Sequence, residues 1–124
     1  MFKDNNGNYK LKIAFDFDGT LTEPDIFLLA QRLIRRGHDV WIMTSRISSE
    51  ENAQKYGIEP ENTYYNTDLY EIALTLGIEQ KVIFANLENK HVVFKKYGFD
   101  LLFDDDAEWE CNTVCEAGGI AVNI

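Results

Sequence analysis

The sequence predicts an α/β fold, specifically a three-layer, doubly wound, Rossmann-like domain with a mostly parallel sheet of about five strands. Short apolar runs rich in β-branched and aromatic residues alternate with amphipathic segments, and no repeat or low-complexity tract interrupts them. This β-α-β order implies parallel strands with helices on both faces of the sheet. The chain has 124 residues, the length of one ordinary domain, so we expect residues 1–124 to form a single unit.

The first half of the chain is predicted to form a strand, a helix, a second strand and a second helix. These elements are, in order, Leu11–Phe15, Asp25–Arg36, Val40–Met43 and Ser48–Tyr56. Gly37 and Gly57 directly follow the two helices, and a glycine in that position is typical of a helix end. The stretch Gly57–Thr67 contains Tyr64 and Tyr65 and fits a loop, a short flap or a stray strand. Packing of the two tyrosines against neighbouring elements is the simpler interpretation.

The second half continues the alternation with three helices and three strands. They are predicted at Asp68–Leu76, Val82–Ala85, Asn89–Tyr97, Leu101–Phe103, Ala107–Ala117 and Ile120–Val122. In parallel sheets of this kind, ligands bind beyond the carboxyl ends of the strands. The residues that follow each strand are therefore the first candidates for a functional site.

Charge and hydropathy exclude several classes of function. The formal charge is 12 − 21 = −9, which argues against strong nucleic-acid binding and against adhesion to an anionic membrane surface. No stretch approaches the roughly 18 apolar residues of a membrane span, and residues 1–8 lack the apolar core of a secretory signal. We therefore expect a cytoplasmic protein without a membrane partner.

Two carboxylates follow the first predicted strand. Asp16 and Asp18 are two residues apart, so in extended backbone both project from the same side, and Gly19 allows the chain to bend sharply after them. Placing two anions this close is unfavourable unless a cation or a shared proton compensates them. A purely structural role therefore explains this pair poorly.

The segment Asp16-Phe17-Asp18-Gly19-Thr20-Leu21-Thr22 resembles the first motif of haloacid dehalogenase-like phosphatases. The resemblance implies that Asp16 is a nucleophile that attacks phosphorus and that Asp18 is a general acid and base. It also implies that the backbone carbonyl of Asp18 binds a metal ion. Gly19 and Thr20 belong to the same motif and are predicted to lie at the substrate.

Three further motifs of the resemblance follow in order. The second is a hydroxyl residue after the next strand, where Thr44 fits best and Ser45 is the alternative. Arg46 is a candidate substrate contact, and a solvated loop arginine is an equally good interpretation. The third motif is a lysine at the start of a helix, which Lys90 matches. Its charge would offset that of Asp16 and of the phosphoryl group.

The fourth motif is an acidic pair after an apolar strand. Leu101–Phe103 is followed by three aspartates, and the resemblance assigns Asp104 and Asp105 to the metal site, with Asp105 the better ligand and Asp104 facing Lys90. Asp106 is interpreted as the cap of the next helix. A site with only oxygen ligands suits Mg²⁺ better than zinc.

The resemblance implies a magnesium-dependent phosphatase with an aspartyl-phosphate intermediate. Its substrate would be a phosphorylated small molecule or a phosphorylated macromolecular end. The chain has little room for an inserted cap domain, so a capless member is expected. Two alternatives are a receiver-type signalling domain, which accepts a phosphoryl group without hydrolysing substrates, and a non-catalytic binding module. The physiological substrate, the pathway and the oligomeric state are not predicted.

Overall fold

A five-stranded parallel sheet forms the centre of the protein. The computed structural model describes residues 1–48, 55, 57, 66–85 and 88–124. Its strands are β1 (Phe2–Lys3), β2 (Tyr9–Lys10), β3 (Lys12–Phe15), β4 (Asp39–Thr44), β5 (Val82–Phe84), β6 (Leu101–Asp104) and β7 (Ala121–Asn123). Strands β3 to β7 make the sheet in the order β5-β4-β3-β6-β7, and every neighbouring pair is parallel. The predicted α/β class and the predicted parallel sheet are confirmed.

Helices cover both faces of this sheet. They are α1 (Pro24–Arg35), α2 (Thr67–Leu76), α3 (Lys90–Lys96) and α4 (Asn112–Glu116), together with two irregular helical turns, Phe17–Leu21 and Ala107–Cys111. Buried residues of α1 and α2 pack against one face, and those of α3 and α4 pack against the other. The three-layer arrangement expected for a Rossmann-like fold is therefore present in the described residues.

The alternation of side chains along β3 explains why this strand is apolar from Ile13 to Phe15. Ile13 and Phe15 belong to the cluster packed against α1 and α2, whereas Ala14 belongs to the cluster on the opposite face. All three residues have 0% exposure. Phe15 also stacks on Phe103 of β6, with ring centroids 4.6 Å apart. From Ile13 to Phe15 the strand is buried on both faces, so this part of it has no position for a polar side chain.

The strand order brings the ends of β3 and β6 together. β3 lies in the middle of the sheet, and the connection through α1 leads to β4 on one side, whereas β6 lies on the other side. The strand order therefore reverses between β3 and β6, and in doubly wound sheets ligands bind at such a reversal. Phe15 pairs with Phe103, and the N–H of Asp16 donates to the carbonyl of Phe103 at 2.9 Å. Asp16 and Asp104 thus leave the sheet side by side.

The predicted helix Ala107–Ala117 is divided in the structure into the Ala107–Cys111 turn and the short helix α4. Asp106 accepts a hydrogen bond from the N–H of Trp109 at 3.0 Å, so the expected cap is present. Asn112 and Thr113 donate side-chain hydrogen bonds to the carbonyls of Glu108 and Trp109. Such bonds to the preceding turn compete with regular helical bonding and bend helices.

The other differences concern the N-terminal region and the middle of the chain. The sequence did not predict the β1–β2 hairpin, whose strands are two residues each and too short for a periodicity signal. The predicted helix Ser48–Tyr56 and the unassigned stretch Gly57–Thr67 lie largely outside the described residues. In the part of the chain that the structure covers, no helix has the length and apolarity needed to cross a membrane.

Candidate active site

Lys90 joins the ends of the two central strands. It is the first residue of α3, and its Nζ donates to Asp16 Oδ1 at 2.6 Å and to Asp104 Oδ2 at 2.8 Å. The exposed fractions of Lys90, Asp16 and Asp104 are 2%, 6% and 1%. The motif resemblance predicts that Asp104 faces Lys90, and this contact is present. One buried ammonium group is therefore shared between two buried carboxylates, which leaves the cluster with an excess of negative charge.

Burial dominates the electrostatics of this cluster. Burial, with a smaller contribution from the nearby charge of Asp104, raises the pKa of Asp16 from 3.8 to about 7 against the lowering effect of Lys90. The pKa of Lys90 is also raised, because its two carboxylate partners outweigh its own burial. Lys90 therefore stays charged, whereas Asp16 takes up a proton near neutral pH. A second cation at this position would favour the ionised form of Asp16.

Asp105 completes a group of three carboxylates. Asp16, Asp104 and Asp105 each contribute an oxygen, and these atoms lie within 4.8 Å of one another. Gly19 lies against this group with φ of +73°, and a Cβ at Gly19 would overlap the carboxylate of Asp105. The glycine is needed both for its left-handed backbone conformation and for the room that it leaves to Asp105.

The carboxylate of Asp18 makes a different contact. It accepts hydrogen bonds from Arg46, with Nε to Oδ2 at 3.0 Å and Nη2 to Oδ1 at 2.6 Å. The two-residue spacing predicted that Asp18 projects beside Asp16, but that rule holds only in extended backbone. The strand ends at Phe15, and Asp18 already belongs to the irregular Phe17–Leu21 turn. The side chain of Asp18 therefore lies at the rim of the site and is 61% exposed.

Arg46 also binds Asp68, a residue that the sequence analysis did not identify. Nη1 donates to Asp68 Oδ1 at 2.8 Å and Nη2 to Asp68 Oδ2 at 3.3 Å. The guanidinium lies over the ring of Phe17, 4.8 Å from its centroid. The two carboxylates raise the pKa of Arg46 although burial opposes them, and Arg46 in turn lowers the pKa of Asp68. Arg46 is thus a bridge between two acidic residues and not a solvated loop arginine.

The three predicted hydroxyl residues have different surroundings. Thr20 is buried, and its Oγ1 donates to Asp16 Oδ2 at 3.2 Å, so both oxygens of Asp16 have a partner. Thr44 is also buried, and its Oγ1 accepts a hydrogen bond from the N–H of Arg46 at 3.2 Å. Ser45 lines the crevice described next. Of the two candidates for the second motif, Ser45 therefore borders the open space.

An open crevice of about 340 Å³ lies at the ends of the strands. It is lined by six carboxyl groups, one ammonium group and one hydroxyl group: Asp16, Asp18, Asp104, Asp105, Asp106, Glu110, Lys90 and Ser45. Glu110 was not predicted from the sequence; burial raises its pKa, and its buried Oε2 has no hydrogen-bond partner among the residues that the structure describes. Its distance of four residues from Asp106 was the helical spacing that could have identified it.

The arrangement offers a hydrogen-bonded carboxylate, a fixed buried cation and a set of oxygen ligands in one crevice. Comparison of the chain with protein-family models, with curated proteins and with solved structures gave no match. A functional assignment therefore depends on the residues and their geometry.

Proposed function

We propose that the protein is a magnesium-dependent phosphohydrolase that acts through an aspartyl-phosphate on Asp16, with Asp18 as general acid and base. We further propose that it is a small, capless member of the haloacid dehalogenase-like superfamily. One observation carries this proposal. The carboxylate of Asp16 lies where the strand order reverses, contacts buried Lys90 at 2.6 Å, and lies within 4.8 Å of two further carboxylates.

The donor set fits a hard divalent cation. All nearby ligands are carboxylate oxygens, which Mg²⁺ prefers over nitrogen and sulfur. Both oxygens of Asp104 already accept hydrogen bonds, from Lys90 and from the N–H of Asp106. We assign Asp105, the exposed carboxylate of the group, and Asp16, the proposed nucleophile, as the main side-chain ligands, with Asp104 and the backbone carbonyl of Asp18 beside them. When bound, Mg²⁺ would orient the phosphoryl group and offset its charge.

The charge of the crevice supports a role for the cation in substrate binding. Six carboxyl groups and one ammonium group line the space, so a phosphate dianion is repelled by the side chains alone. A divalent ion held by these carboxylates would favour the ionised form of Asp16 and would reduce the repulsion. The proposed substrate is a phosphate ester. Because the crevice is open, the ester can belong to a small molecule or to the end of a macromolecule.

In the first step, Oδ of Asp16 attacks phosphorus as the bond from phosphorus to the ester oxygen breaks. The ester oxygen keeps the bonding electrons and receives the proton of the Asp18 carboxyl group, so an alcohol leaves and Asp18 becomes a carboxylate. Lys90 remains charged beside Asp16 and stabilises the negative charge that moves onto the transferring group.

In the second step, water attacks phosphorus and gives a proton to the Asp18 carboxylate. The bond between phosphorus and Asp16 breaks, and its electrons return to the carboxylate. Inorganic phosphate is released, and both aspartates regain their starting states. The proton on Asp18 is thus supplied by water in one half of the cycle and used in the other.

The strand order favours this proposal over a receiver domain. If the five strands β3 to β7 are renumbered 1 to 5 along the chain, their order in the sheet is 3-2-1-4-5. Receiver-like proteins of the flavodoxin type have the order 2-1-3-4-5. The short connections support a capless enzyme, since only residues 22–23 lie between the Phe17–Leu21 turn and α1 and only residues 85–89 between β5 and α3. The presence of each motif residue argues against a non-catalytic module.

Hydrolysis of a generic aryl phosphate tests the proposal. Purified protein should release phosphate with Mg²⁺ and stop when the metal is chelated. Asp16→Asn should abolish turnover and leave the circular dichroism spectrum unchanged, whereas Asp25→Asn, the same change at an exposed residue of α1, should retain activity. Full activity of Asp16→Asn would remove this residue from the nucleophile role. A screen of phosphorylated metabolites, nucleotides, nucleic-acid ends and phosphopeptides would then identify the substrate.

A further inference from the structure

We propose that Asp68 is a positioning residue that acts through Arg46. It anchors the Arg46 guanidinium, which in turn orients the Asp18 carboxyl group toward the leaving group at the rim of the crevice. This inference rests on the proposed function, in which Asp18 exchanges a proton with the ester oxygen.

The contacts form a chain from α2 to the rim of the site. Asp68 lies in the first turn of α2 and accepts from Arg46 Nη1 at 2.8 Å, while Asp18 accepts from Nε at 3.0 Å and from Nη2 at 2.6 Å. The side chain of Arg46 is only 11% exposed, although those of Asp18 and Asp68 are 61% and 55% exposed. The cation is therefore the fixed member of the group and the carboxylates lie on either side of it.

Asp18 needs such support because its own backbone holds it weakly. It lies beyond the end of β3, in a turn whose residues Asp18 and Gly19 have non-helical dihedral angles. An exposed carboxylate there has several rotamers of similar energy. Arg46 restricts this choice, since its planar fork binds both oxygens of Asp18.

Asp68 binds the Arg46 guanidinium on the edge away from Asp18. The guanidinium also rests on the ring of buried Phe17, and this contact sets the plane of the fork. Asp68 supplies the second direction from a regular helix that packs on the core through Leu69 and Ala73. Sites supported by regular elements are held more precisely than sites supported by loops.

A competing attraction makes this anchor important for function. A phosphate ester that enters the crevice brings negative charge near Arg46, which borders Asp18 and Ser45. Without Asp68, the guanidinium is expected to turn from Asp18 toward the phosphoryl oxygens. Substrate would then bind as well as or better than before, while proton transfer to the leaving group would slow. A fall in kcat without a rise in KM is not expected if the substitution only destabilises the fold.

Steady-state kinetics with two aryl phosphates test the inference. Phenyl phosphate has a poor leaving group and needs the acid, whereas 2,4-dinitrophenyl phosphate has a good one and does not. In Asp68→Asn, kcat/KM for phenyl phosphate should fall about tenfold, a part of the roughly 10²–10⁴-fold that general acid catalysis supplies, with KM unchanged or lower. Both esters form the same aspartyl-phosphate, whose hydrolysis also uses Asp18, so the esters are compared by kcat/KM, which includes only the steps up to departure of the leaving group. The kcat/KM for the dinitrophenyl ester should stay within about twofold. Equal losses of kcat/KM on both esters, or no loss on either, would overturn the inference.

Matched variants separate this result from other failures. Glu71→Gln removes an exposed carboxylate from the same helix and should behave as wild type on both esters. Asp68→Glu should recover part of the phenyl phosphate rate. Asp68→Ser keeps a residue that favours helix starts and replaces Asp68→Asn if the latter unfolds. An inactive wild-type protein, or a fully active Asp16→Asn, would refute the proposed function itself and not only the role of Asp68.

Nuclear magnetic resonance of the arginine Nε–H groups gives a test that needs no activity. In the wild-type protein and in Glu71→Gln, the Nε–H of Arg46 should exchange slowly with water because it donates to Asp18. In Asp68→Asn its exchange should be at least about tenfold faster. Unchanged exchange in Asp68→Asn would show that Asp68 does not hold the fork.

Discussion

Replacement of Lys90 by methionine removes the charge from the centre of the site and retains most of the apolar side chain. Asp16 and Asp104, which are 6% and 1% exposed, then lose the ammonium group that they share. Removal of one partner from a buried ion pair typically destabilises a protein by about 3–5 kcal/mol, because the remaining charge is buried without compensation. We expect a loss of this size at pH 8 in the absence of divalent metal.

The loss should be smaller at low pH. The pKa of Asp16 is already raised to about 7 in the folded state, so its contribution to stability is fully present below 3.8 and is lost as the pH rises through about 7. Without Lys90 the pKa of Asp16 rises further, because the attraction to the ammonium group is gone. At pH 5 the carboxyl group of Asp16 is therefore protonated and neutral, so its burial without Lys90 costs less, and Lys90→Met should lose less free energy of unfolding than at pH 8.

Urea denaturation followed by tryptophan fluorescence at pH 5 and pH 8 measures both effects. Lys95→Met is the matched control, since Lys95 lies in the last turn of the same helix and is exposed. Its substitution should change the free energy of unfolding by less than about 0.5 kcal/mol. The reasoning is refuted if Lys90→Met loses less than about 1 kcal/mol at pH 8, or if the loss is the same at both pH values.

The remaining predictions concern metal binding. Gly19→Ala should destabilise the protein by about 1–2 kcal/mol because of the positive φ. It should also weaken Mg²⁺ binding more than about tenfold in calorimetry, since the new Cβ displaces Asp105. Gly7 has a φ of +79° and open space around it, so Gly7→Ala should also destabilise the protein but should leave Mg²⁺ binding unchanged. Mg²⁺ affinity should fall about tenfold for each pH unit below about 7, because protons compete for Asp16. In Asp16→Asn that dependence should be much weaker, and a pH-independent wild-type affinity would contradict the assignment of Asp16 as a ligand.

Local sequence patterns were sufficient for most of the fold. The apolar runs that became β3, β4 and β6 were recognised because both faces of a central parallel strand are buried. Helix α1 was predicted at Asp25–Arg36 and lies at Pro24–Arg35. Helix α2 was predicted at Asp68–Leu76 and lies at Thr67–Leu76, so no end of either helix differs by more than one residue. The division of the last predicted helix was missed, because it depends on side-chain hydrogen bonds to the preceding turn and not on hydrophobic periodicity.

The sequence was sufficient to predict those site residues whose position is determined by the end of a strand. Asp16 and Asp104 follow apolar runs, which predicts that both lie at one edge of the sheet, and the motif resemblance adds Lys90 at the start of a helix. Their roles in catalysis remain predictions. Asp68 and Glu110 were missed because each lies in a helical segment, where an acidic residue is ordinarily a solvated one. Nothing in the residues next to Asp68 distinguishes it from other exposed carboxylates, whereas the four-residue spacing of Glu110 from Asp106 was a signal that could have identified Glu110.

The sequence by itself determined the α/β class, the parallel sheet and the edge at which the carboxylates gather, since these follow from local periodicity and from the ends of apolar runs. Only the tertiary structure decided the strand order, the sharing of Lys90 between Asp16 and Asp104, and the pairing of Asp18 with Arg46. Each of these depends on contacts between residues far apart in the chain. A side chain at the rim of a site takes its direction from the partners that folding brings to it.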